Sequence, residues 1–426
     1  MFDLEENRKK VQNALLVGIQ QPRMTRQESE YLLEELTELT RNLDIPIAER
    51  MIVNLRKPTP AFLVGKGKLE EIIDLVHEKN IDVIIFDEEL SPAQQRNWER
   101  ESKICVIDRQ EIIIDIFSER AHTKEASLQV SLARMEYSLP RLTRAWTHLS
   151  RQRGGGTGAR GQGETQLEAD RRMINDRISN VKKELKEVIK HRLVQRAKRL
   201  RKPVPTVSIV GYTNAGKSSL LNALTHSDAL AADKLFATLD PTTRRLDLDK
   251  SQHVLLTDTV GFVRRLPHRL VDAFKATLEE AVVADLLIHL IDVSNPEFET
   301  HFETTKKVLE EIGANENPTL IVFNKVDLLE DTEIIERLSL LHEDALFISA
   351  ESGDGLQALK DIISDRLNAQ LRSTKLVIPH DRYDIISKLH TSGGIRHQTT
   401  EDDGVHIEGL FSESLKGILT PFIIEV

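Results

Sequence analysis

The stretch VGYTNAGKSSLLNAL, residues 210–224, follows an apolar run and leads into a helical pattern. From Gly211 to Ser218 it matches the pattern GxxxxGK followed by Ser or Thr. In such a loop the backbone amides can surround phosphates, Lys217 can reach the terminal ones, and the Ser218 hydroxyl can bind Mg²⁺. The amino terminus of the following helix adds a dipole that favours anions. This strand–loop–helix context predicts a nucleotide-binding domain.

Two further motifs follow in chain order, each at the end of an apolar run. In TDTVG, Asp258 and Gly261 have the spacing DxxG. The carboxylate can hold Mg²⁺ through water, and the glycine amide can bond a γ-phosphate with no side chain in the way. The second motif, NKVD, is followed by ISAES. Strands that alternate with helices in this order predict a doubly wound sheet.

The NKVD motif indicates which purine is bound. Asp327 can accept hydrogen bonds from N1–H and the exocyclic amine of guanine, whereas against adenine it would be left buried and unpaired. We expect Asn324 to tie this strand to the phosphate loop and Lys325 to lie along the base. Ser349 and Ala350 are expected near the guanine carbonyl. These motifs disfavour a metabolic kinase, for which no acceptor-substrate pocket is evident.

A Mg²⁺-binding threonine is expected between the first two motifs. Thr238 stands 20 residues after Ser218, and Thr242 and Thr243 are alternatives. Their segment is rich in small and polar residues, as expected of a loop that a γ-phosphate orders.

Two positions bear on hydrolysis and on a second cation. Many GTPases carry a water-orienting glutamine directly after the DxxG glycine, but here the residue is Phe262, which predicts slow intrinsic hydrolysis. Asn214, in the phosphate loop, can help to coordinate potassium beside the phosphates. The alternative interpretation of Asn214 is a residue that stabilises the loop.

Length and composition limit the class of protein. The 426 residues predict two to four domains. No apolar run reaches the roughly 18 residues of a membrane span, and the amino terminus lacks a signal-peptide core. The single cysteine, Cys105, is expected in a buried strand. We therefore expect a cytoplasmic protein without a membrane span, and a monomer.

The chain reads as an α/β multidomain protein with four parts. Residues 1–110 predict an N-terminal α/β domain, in which PAFLVGKGKLEEI reads as strand, tight turn and helix, with a second nucleotide site as the disfavoured alternative. Residues 111–202 predict an antiparallel helical hairpin, because apolar residues recur at heptad-like spacing on two long helices. Residues 203–370 form the nucleotide-binding domain, and residues 371–426 a small α+β domain. Its His380, His390 and His406 show no metal-ligand spacing.

The centre of the chain is basic although the whole chain carries a net charge of −10. Residues 134–202 contain 19 Lys and Arg against 7 Asp and Glu, which is typical of a nucleic-acid contact or of a solvated helix face. Between the two helices lies the loop 150–164, rich in glycine, with Arg151, Arg153 and Arg160. These arginines can pair with RNA phosphates or stack on bases. The alternative is a plain flexible connector.

Several segments together resemble the HflX family of GTPases, within the Obg-like translation factors. The similar stretches are VGKGKLEEI, FDEELSPAQQRNWE, LPRLTR, GQGETQLEADRR, GYTNAGKSSLLNAL, FATLDPTTR and DTVGFVRRLP. The resemblance extends over nearly the whole chain and is weakest in the C-terminal part. It implies that Thr238 is the Mg²⁺ ligand, and that a hydrophobic residue such as Phe262 is usual for the group.

The resemblance also implies partners. It implies binding to the large ribosomal subunit, with the hairpin loop directed toward rRNA near the peptidyl-transferase centre, and GTP-dependent splitting, rescue or recycling of ribosomes. A GTP-timed assembly factor of the large subunit, acting as an RNA-binding scaffold, is the alternative.

The predicted site has catalytic, metal-binding and nucleotide-binding members. Lys217, Thr238 and Gly261 are predicted to be catalytic, and Ser218, Thr238 and Asp258 (through water) to hold Mg²⁺, with K⁺ as a further candidate cofactor. The predicted residues for GTP and GDP are Gly211, Tyr212, Thr213, Asn214, Ala215, Gly216, Lys217, Ser218, Phe236, Ala237, Thr238, Leu239, Asp240, Asp258, Thr259, Val260, Gly261, Asn324, Lys325, Val326, Asp327, Ser349, Ala350 and Glu351.

Overall fold

The computed structural model contains three separate β-sheets. It describes residues 11–142, 162–199, 204–225, 235–236, 238–248, 252–264, 278–331, 333–369, 371–392, 395–412 and 419–425. The chain divides into two compact units, Met1–Glu187 with Leu266–Ala273, and Val188–Arg265 with Phe274–Val426. The α/β multidomain class predicted from the sequence is confirmed.

The N-terminal sheet has four parallel strands in the order β2-β1-β3-β4. The strands are β1 (Ala14–Gln20), β2 (Ile47–Asn54), β3 (Val83–Phe86) and β4 (Cys105–Asp108). The helices that alternate with them are α1 (Arg26–Asn42), α2 (Lys66–Glu78), α3 (Pro92–Ser102) and α4 (Arg109–Arg120). β1 and β3 are apolar and almost wholly buried, as expected of central strands in a parallel sheet that helices cover.

One expectation for the N-terminal sheet was wrong. The segment PAFLVG is not a strand: Thr59 and Leu63 form an isolated antiparallel bridge there, and Leu63 has a φ of 68°. The strand that precedes α2 is instead IAERMIVN, β2, an edge strand with an exposed Arg50 and a half-buried Glu49. Phe62 and Leu63 still pack on the core, which explains why this turn is apolar.

The middle region contains helices α5 (Lys124–Ser138) and α6 (Gln162–Arg199). Glu136 of α5 pairs with Lys182 of α6 at 2.7 Å, and Leu139, directly after α5, lines the same groove as Arg171 of α6. On α6 the buried positions Ile178 and Val181 alternate with exposed charged residues. A single apolar stripe on an otherwise polar helix explains how α6 can pack along one side only.

The second unit begins with a six-stranded sheet in the order β10-β9-β8-β5-β7-β6. Its strands are β5 (Thr206–Gly211), β6 (Thr242–Asp247), β7 (His253–Asp258), β8 (Leu286–Asp292), β9 (Thr319–Asn324) and β10 (Leu346–Phe347). All neighbours are parallel except β6 and β7. The helices are α7 (Lys217–Thr225), α8 (Phe298–Glu311), α9 (Glu333–Leu341) and α10 (Leu356–Ala369).

Helices cover both faces of this sheet, as a doubly wound fold requires. One core joins the sheet to α7 and α10 through residues such as Leu221 and Ile363, and a second joins it to α8 and α9 through Phe298 and Leu338. The carboxyl ends of β5, β7, β8 and β9 lie at one edge, where doubly wound folds bind their ligands.

The C-terminal sheet is antiparallel, in the order β12-β13-β11-β14. Its elements are β11 (Leu371–Ile378), α11 (Tyr383–Ser392), β12 (Ile395–Glu401), β13 (Gly404–Ser412), a 3₁₀ turn (Thr420–Phe422) and β14 (Ile423–Glu425). Ile385 and Leu389 of α11 pack on Leu376 and Ile407, so this part has its own core.

Candidate nucleotide site

The loop from Gly211 to Ser218 joins β5 to α7. Gly216 has a φ of +91°, and a Cβ atom at this position would lie 2.3 Å from Nδ2 of Asn324, so only glycine fits. Asn214 is exposed and has a φ of 61°. Asparagine tolerates this left-handed conformation better than most residues, which favours a role in shaping the loop.

The Lys217 side chain is almost wholly buried at the start of α7. Its Nζ donates a hydrogen bond to the backbone oxygen of Tyr212 at 2.7 Å. Burial lowers the pKa of Lys217 to about 8, and the negative charge of Asp258 opposes this shift in part. An ammonium group has three donors, so this one contact fixes its position and leaves two donors for phosphate oxygens.

Three predicted metal-binding side chains meet at the ends of β5 and β7. The Ser218 hydroxyl lies 2.8 Å from the Thr238 hydroxyl, and each lies within hydrogen-bond distance of Oδ2 of Asp258, at 2.7 and 2.8 Å. The other candidate threonines lie in β6, where the Thr243 hydroxyl is 3.0 Å from that of Thr257.

The chemistry of this group fits a small divalent cation. All its donors are oxygens, the ligand type that Mg²⁺ takes in proteins. Oδ1 of Asp258 is buried and has no hydrogen-bond partner in the described part of the chain. Burial raises the pKa of Asp258, while the Lys217 charge and the hydrogen bonds from Ser218 and Thr238 lower it. A cation would compensate the same buried charge.

The segment between Ser218 and β6 is described in part. Phe236 and Leu239 are buried on either side of Thr238, and Phe236 has a φ of 57°. These two apolar anchors explain how the Thr238 hydroxyl is held at the end of β7. Asp240 is half-buried, whereas the predicted residue Ala237 lies outside the described residues.

Gly261 and Phe262 pack directly against the phosphate loop. A Cβ atom at Gly261 would lie 2.9 Å from Cα of Thr213 and 3.0 Å from Nζ of Lys217. The Phe262 backbone accepts from the Thr213 amide at 2.7 Å and donates to the Gly211 oxygen at 3.1 Å. Its side chain is 1% exposed and therefore belongs to the core. The preceding Thr259 hydroxyl donates to the Ile209 oxygen, and Val260 is buried.

Asn324 links the phosphate loop to the predicted base-binding loops. Its Nδ2 donates to the Ala215 oxygen at 2.9 Å, and its Oδ1 accepts from the Ala350 amide at 3.0 Å. Asn324 is 2% exposed, so both bonds are buried. Through this single side chain, the ends of β9 and β10 are held in register with the phosphate loop.

The remaining NKVD and ISAES residues lie in the segments that follow β9 and β10. Lys325 has a φ of 67° and its Nζ pairs with Asp292 at 2.7 Å. Asp327 is exposed in a 3₁₀ turn, Val326–Leu328, where its carboxylate is accessible to a ligand. Ser349 is buried and its hydroxyl accepts from the Ser352 amide, while Glu351 is exposed.

A polar cluster beside the phosphate loop was not predicted from the sequence. The Tyr212 ring stacks on His301 of α8 with centroids 3.7 Å apart, and the Tyr212 hydroxyl accepts from the Arg264 amide at 2.8 Å. Arg264 also pairs with Glu297 at 3.1 Å. Burial and the nearby Arg264 charge lower the pKa of His301 to about 4. The cluster fixes the backbone directly after Phe262; no sequence motif indicated that α8 would supply it.

Family models match this chain from the first sheet to the last. They are described as GTP-binding GTPase N-terminal (residues 30–118), GTP-binding GTPase Middle Region (120–199), 50S ribosome-binding GTPase (206–325) and HflX C-terminal domain (334–416). The GTPase HflX of Akkermansia muciniphila is 43% identical over 99% of both chains. The chain belongs to the HflX family of GTPases. It is an enzyme that hydrolyses GTP.

Other relatives extend this similarity. The GTPase HflX of Escherichia coli K12 is 44% identical over 87% of each chain. Among solved structures, SsGBP with GDP covers 83% of this chain and 98% of its own, with 27% identity and a TM-score of 0.47. A GTP-binding protein from Sulfolobus solfataricus with GDP covers 84% and 99%, with 27% identity and a TM-score of 0.44.

Two other predictions from the sequence concern RNA binding and membrane spans. The predicted RNA-binding residues Arg151, Arg153 and Arg160 lie outside the described residues. None of the helices in the described ranges combines the length and the hydropathy that crossing a bilayer requires.

The C-terminal tail holds one acidic–histidine cluster that its sequence spacing did not indicate. At the turn between β12 and β13, ligand atoms of Glu401, Asp403 and His406 lie within 4.8 Å of one another. The His406 ring is 2.8 Å from Asp403, and this hydrogen bond raises the pKa of His406. The hydrogen bond between the exposed Asp403 and His406 accounts for this arrangement without a ligand.

Proposed function

We propose that this HflX-family GTPase is a GTP-driven switch that binds the large ribosomal subunit and couples GTP binding and hydrolysis to ribosome splitting, rescue or recycling. The observation that supports a switch is that the side chains of Ser218, Thr238 and Asp258 lie within hydrogen-bond distance of one another. Thr238 belongs to the segment before β6, and Asp258 ends β7. A cation and a γ-phosphate bound here would hold together two segments that are distant along the chain, which is how GTPases order their switches.

Ser218, Thr238 and Asp258 are the residues proposed to hold Mg²⁺, with Asp258 acting through water. When bound, the cation would neutralise phosphate charge that develops during transfer. Lys217 would bind the terminal phosphates with the donors that the Tyr212 contact leaves. We expect Lys217→Ala to abolish nucleotide binding or turnover, measured by calorimetry and by phosphate release.

Asp327 is proposed to select guanine. Its exposed carboxylate can accept both hydrogen bonds that guanine offers on one edge, and Asn324 holds its loop in register with the phosphate loop. We expect Asp327→Asn to weaken GDP binding and shift preference toward xanthosine diphosphate, because an amide can donate to the extra carbonyl. Calorimetry with GDP, xanthosine diphosphate and ADP measures this. Equal affinity of the unaltered protein for ADP would contradict guanine selection.

The middle region is proposed to contact rRNA. Exposed basic side chains lie along α6, including Arg171, Arg177, Lys183 and Lys186. The 50S ribosome-binding GTPase description of the matched family model supports the large subunit as the target. The predicted loop extends to residue 164, but α6 begins at Gln162, so the loop ends earlier than expected. The segment before α6, with Arg151, Arg153 and Arg160, is proposed to reach toward the peptidyl-transferase centre, at an ordering cost that RNA binding repays.

The arginines are tested by replacing all three with alanine. We expect weaker binding to large subunits and a smaller salt dependence, because each lost phosphate contact reduces the slope by about one. The matched control replaces Lys306, Lys307 and Arg337, which removes the same charge from exposed positions of α8 and α9. Equal salt dependence in both triple variants would contradict an RNA role for the loop.

Sucrose-gradient sedimentation separates the proposed function from its alternative. A splitting factor should convert joined ribosomes into subunits with a non-hydrolysable GTP analogue but not with GDP, and large subunits should raise its hydrolysis rate. An assembly scaffold should bind precursor particles and leave joined ribosomes intact. A hydrolysis rate indifferent to large subunits would contradict the coupling.

Potassium, proposed through Asn214 alone, is tested by comparing rates in KCl and NaCl.

A further inference from the structure

Thr213 is held rigidly between the phosphate loop and the DxxG segment. Its amide donates to the Phe262 oxygen at 2.7 Å. Its Cα and methyl carbon would each lie 2.9 Å from a Cβ atom placed on Gly261, so threonine and glycine are in close contact. Thr213 is 5% exposed. The side chain therefore has little freedom to turn toward solvent.

The Thr213 hydroxyl is buried and has no hydrogen-bond partner among the residues that the structure describes. Buried polar atoms are nearly always paired, and exceptions occur where a ligand supplies the partner. Within the nucleotide site only one other described side-chain atom has this property, Oδ1 of Asp258, which the proposed metal accounts for. The hydroxyl of Thr213 has no such explanation in the established GTPase activity.

The surroundings of this hydroxyl indicate its partner. A Cβ atom placed on Gly261 would lie 2.9 Å from the methyl carbon of Thr213 and 3.0 Å from Nζ of Lys217, so the Thr213 side chain borders the space between Gly261 and Lys217. Lys217 and the Gly261 amide are the groups expected to meet the terminal phosphate. Phe262, whose side chain is in the core, cannot contribute a polar contact there. Thr213 therefore borders both Lys217 and Gly261, and its hydroxyl still has an unused donor.

We propose that the Thr213 hydroxyl donates a hydrogen bond to a γ-phosphate oxygen of GTP and so distinguishes GTP from GDP. The inference rests on the proposed nucleotide site. GDP lacks the acceptor, so the bond contributes only to the triphosphate state. Hydrogen bonds to charged acceptors are the stronger class, and losing one corresponds to at least a tenfold change in binding.

The test uses Thr213→Val, which keeps the shape of the side chain and removes the donor. We expect the affinity for GMPPNP, a non-hydrolysable GTP analogue, to fall about tenfold or more with Mg²⁺ present. Affinity for GDP should stay within about twofold. Thr213→Ser, which restores a hydroxyl, should recover GMPPNP binding, and Thr213→Ala gives the same comparison should the valine variant fail to fold.

Thermal unfolding of the nucleotide-free protein separates ligand binding from a structural role. Because valine removes a buried unpaired hydroxyl, the melting temperature should not fall. The matched control is Thr305→Val in α8, where the hydroxyl is likewise buried and has no partner in the described residues. The control should keep its affinity for both nucleotides.

Three outcomes would overturn the inference. An unchanged ratio of GMPPNP to GDP affinity in Thr213→Val excludes the bond. A parallel loss of both affinities with a lower melting temperature assigns Thr213 a structural role. If the unaltered protein binds neither nucleotide, the proposed site itself is wrong, and that result differs from failure of Thr213 alone.

Discussion

Asn324→Ala should uncouple the phosphate loop from the loops that follow β9 and β10. The substitution removes two buried hydrogen bonds, to the Ala215 oxygen at 2.9 Å and from the Ala350 amide at 3.0 Å. Each contributes about 1 kcal/mol net, and a backbone group left buried without a partner costs about 1–3 kcal/mol. We therefore expect the free energy of unfolding of the nucleotide-binding domain to fall by about 2–4 kcal/mol.

Nucleotide affinity should fall as well, because Ala215 and Ala350 belong to loops on opposite sides of the proposed nucleotide. We expect GDP to bind at least tenfold more weakly, equivalent to about 1.4 kcal/mol. Urea unfolding followed by circular dichroism gives the stability, with the domain's transition identified by its shift when GDP is added. Calorimetry gives the affinity. Asn324→Asp should be intermediate, since it keeps the acceptor for Ala350 and loses the donor.

The matched control is Asn317→Ala in the same domain. The Asn317 amide donates to the backbone oxygens of Ala281, Val282 and Ala284 at 3.0–3.1 Å, so its loss should also destabilise the domain. In the described part of the chain, its hydrogen bonds reach none of the predicted nucleotide-binding residues, and the substitution should leave GDP affinity unchanged. If Asn324→Ala leaves the free energy of unfolding unchanged, or destabilises the domain as the control does but binds GDP with the affinity of the unaltered protein, the coupling role of Asn324 is refuted.

Two further predictions concern buried side chains. Burial lowers the pKa of His289 from 6.5 to about 3, so the unfolded chain takes up a proton at higher pH than the folded one. The free energy of unfolding should fall by up to about 1.4 kcal/mol per pH unit as the pH drops from 6.5 toward 3, and His289→Leu should flatten this dependence in urea titrations. Phe262→Gln should not accelerate GTP hydrolysis but should destabilise the domain by about 3 kcal/mol or more, because an amide would replace a core ring; faster phosphate release would contradict this.

The sequence indicated the central strands well because burial on both faces leaves an unmistakable apolar run. LLIHLID in β8 is the clearest case. Two edge strands, β2 and β6, were missed for the opposite reason. In β2 and β6 the charged residues Arg50, Arg244 and Arg245 are exposed and Glu49 is half-buried, so neither IAERMIVN nor TTRRLD has the apolar signal of a buried strand. PAFLVG had that signal and is a turn, because packing on the core does not require pairing in a sheet.

The nucleotide site also combines contacts that could be predicted from sequence motifs with contacts that depend on distant parts of the chain. Contacts within or between recognised motifs, such as Asn324 with Ala215, could be anticipated because each motif carries its own geometry. The stack of Tyr212 on His301 could not, because nothing in the α8 sequence distinguishes this histidine from a surface one. Its position depends on how the whole sheet brings β5 and α8 together.

Phe262 has one role that its position in the sequence predicts and another that only the structure adds. Its sequence position indicates only that a water-orienting glutamine is absent. Its backbone bonds to Thr213 and Gly211 add that the residue anchors the DxxG segment to the phosphate loop, and the Tyr212 hydroxyl fixes the next stretch through the Arg264 amide. A glutamine side chain directed to a phosphate would have to leave the core position that the Phe262 ring occupies. Restoring fast hydrolysis would therefore require a group from outside this segment, which is consistent with a GTPase whose rate depends on its partner.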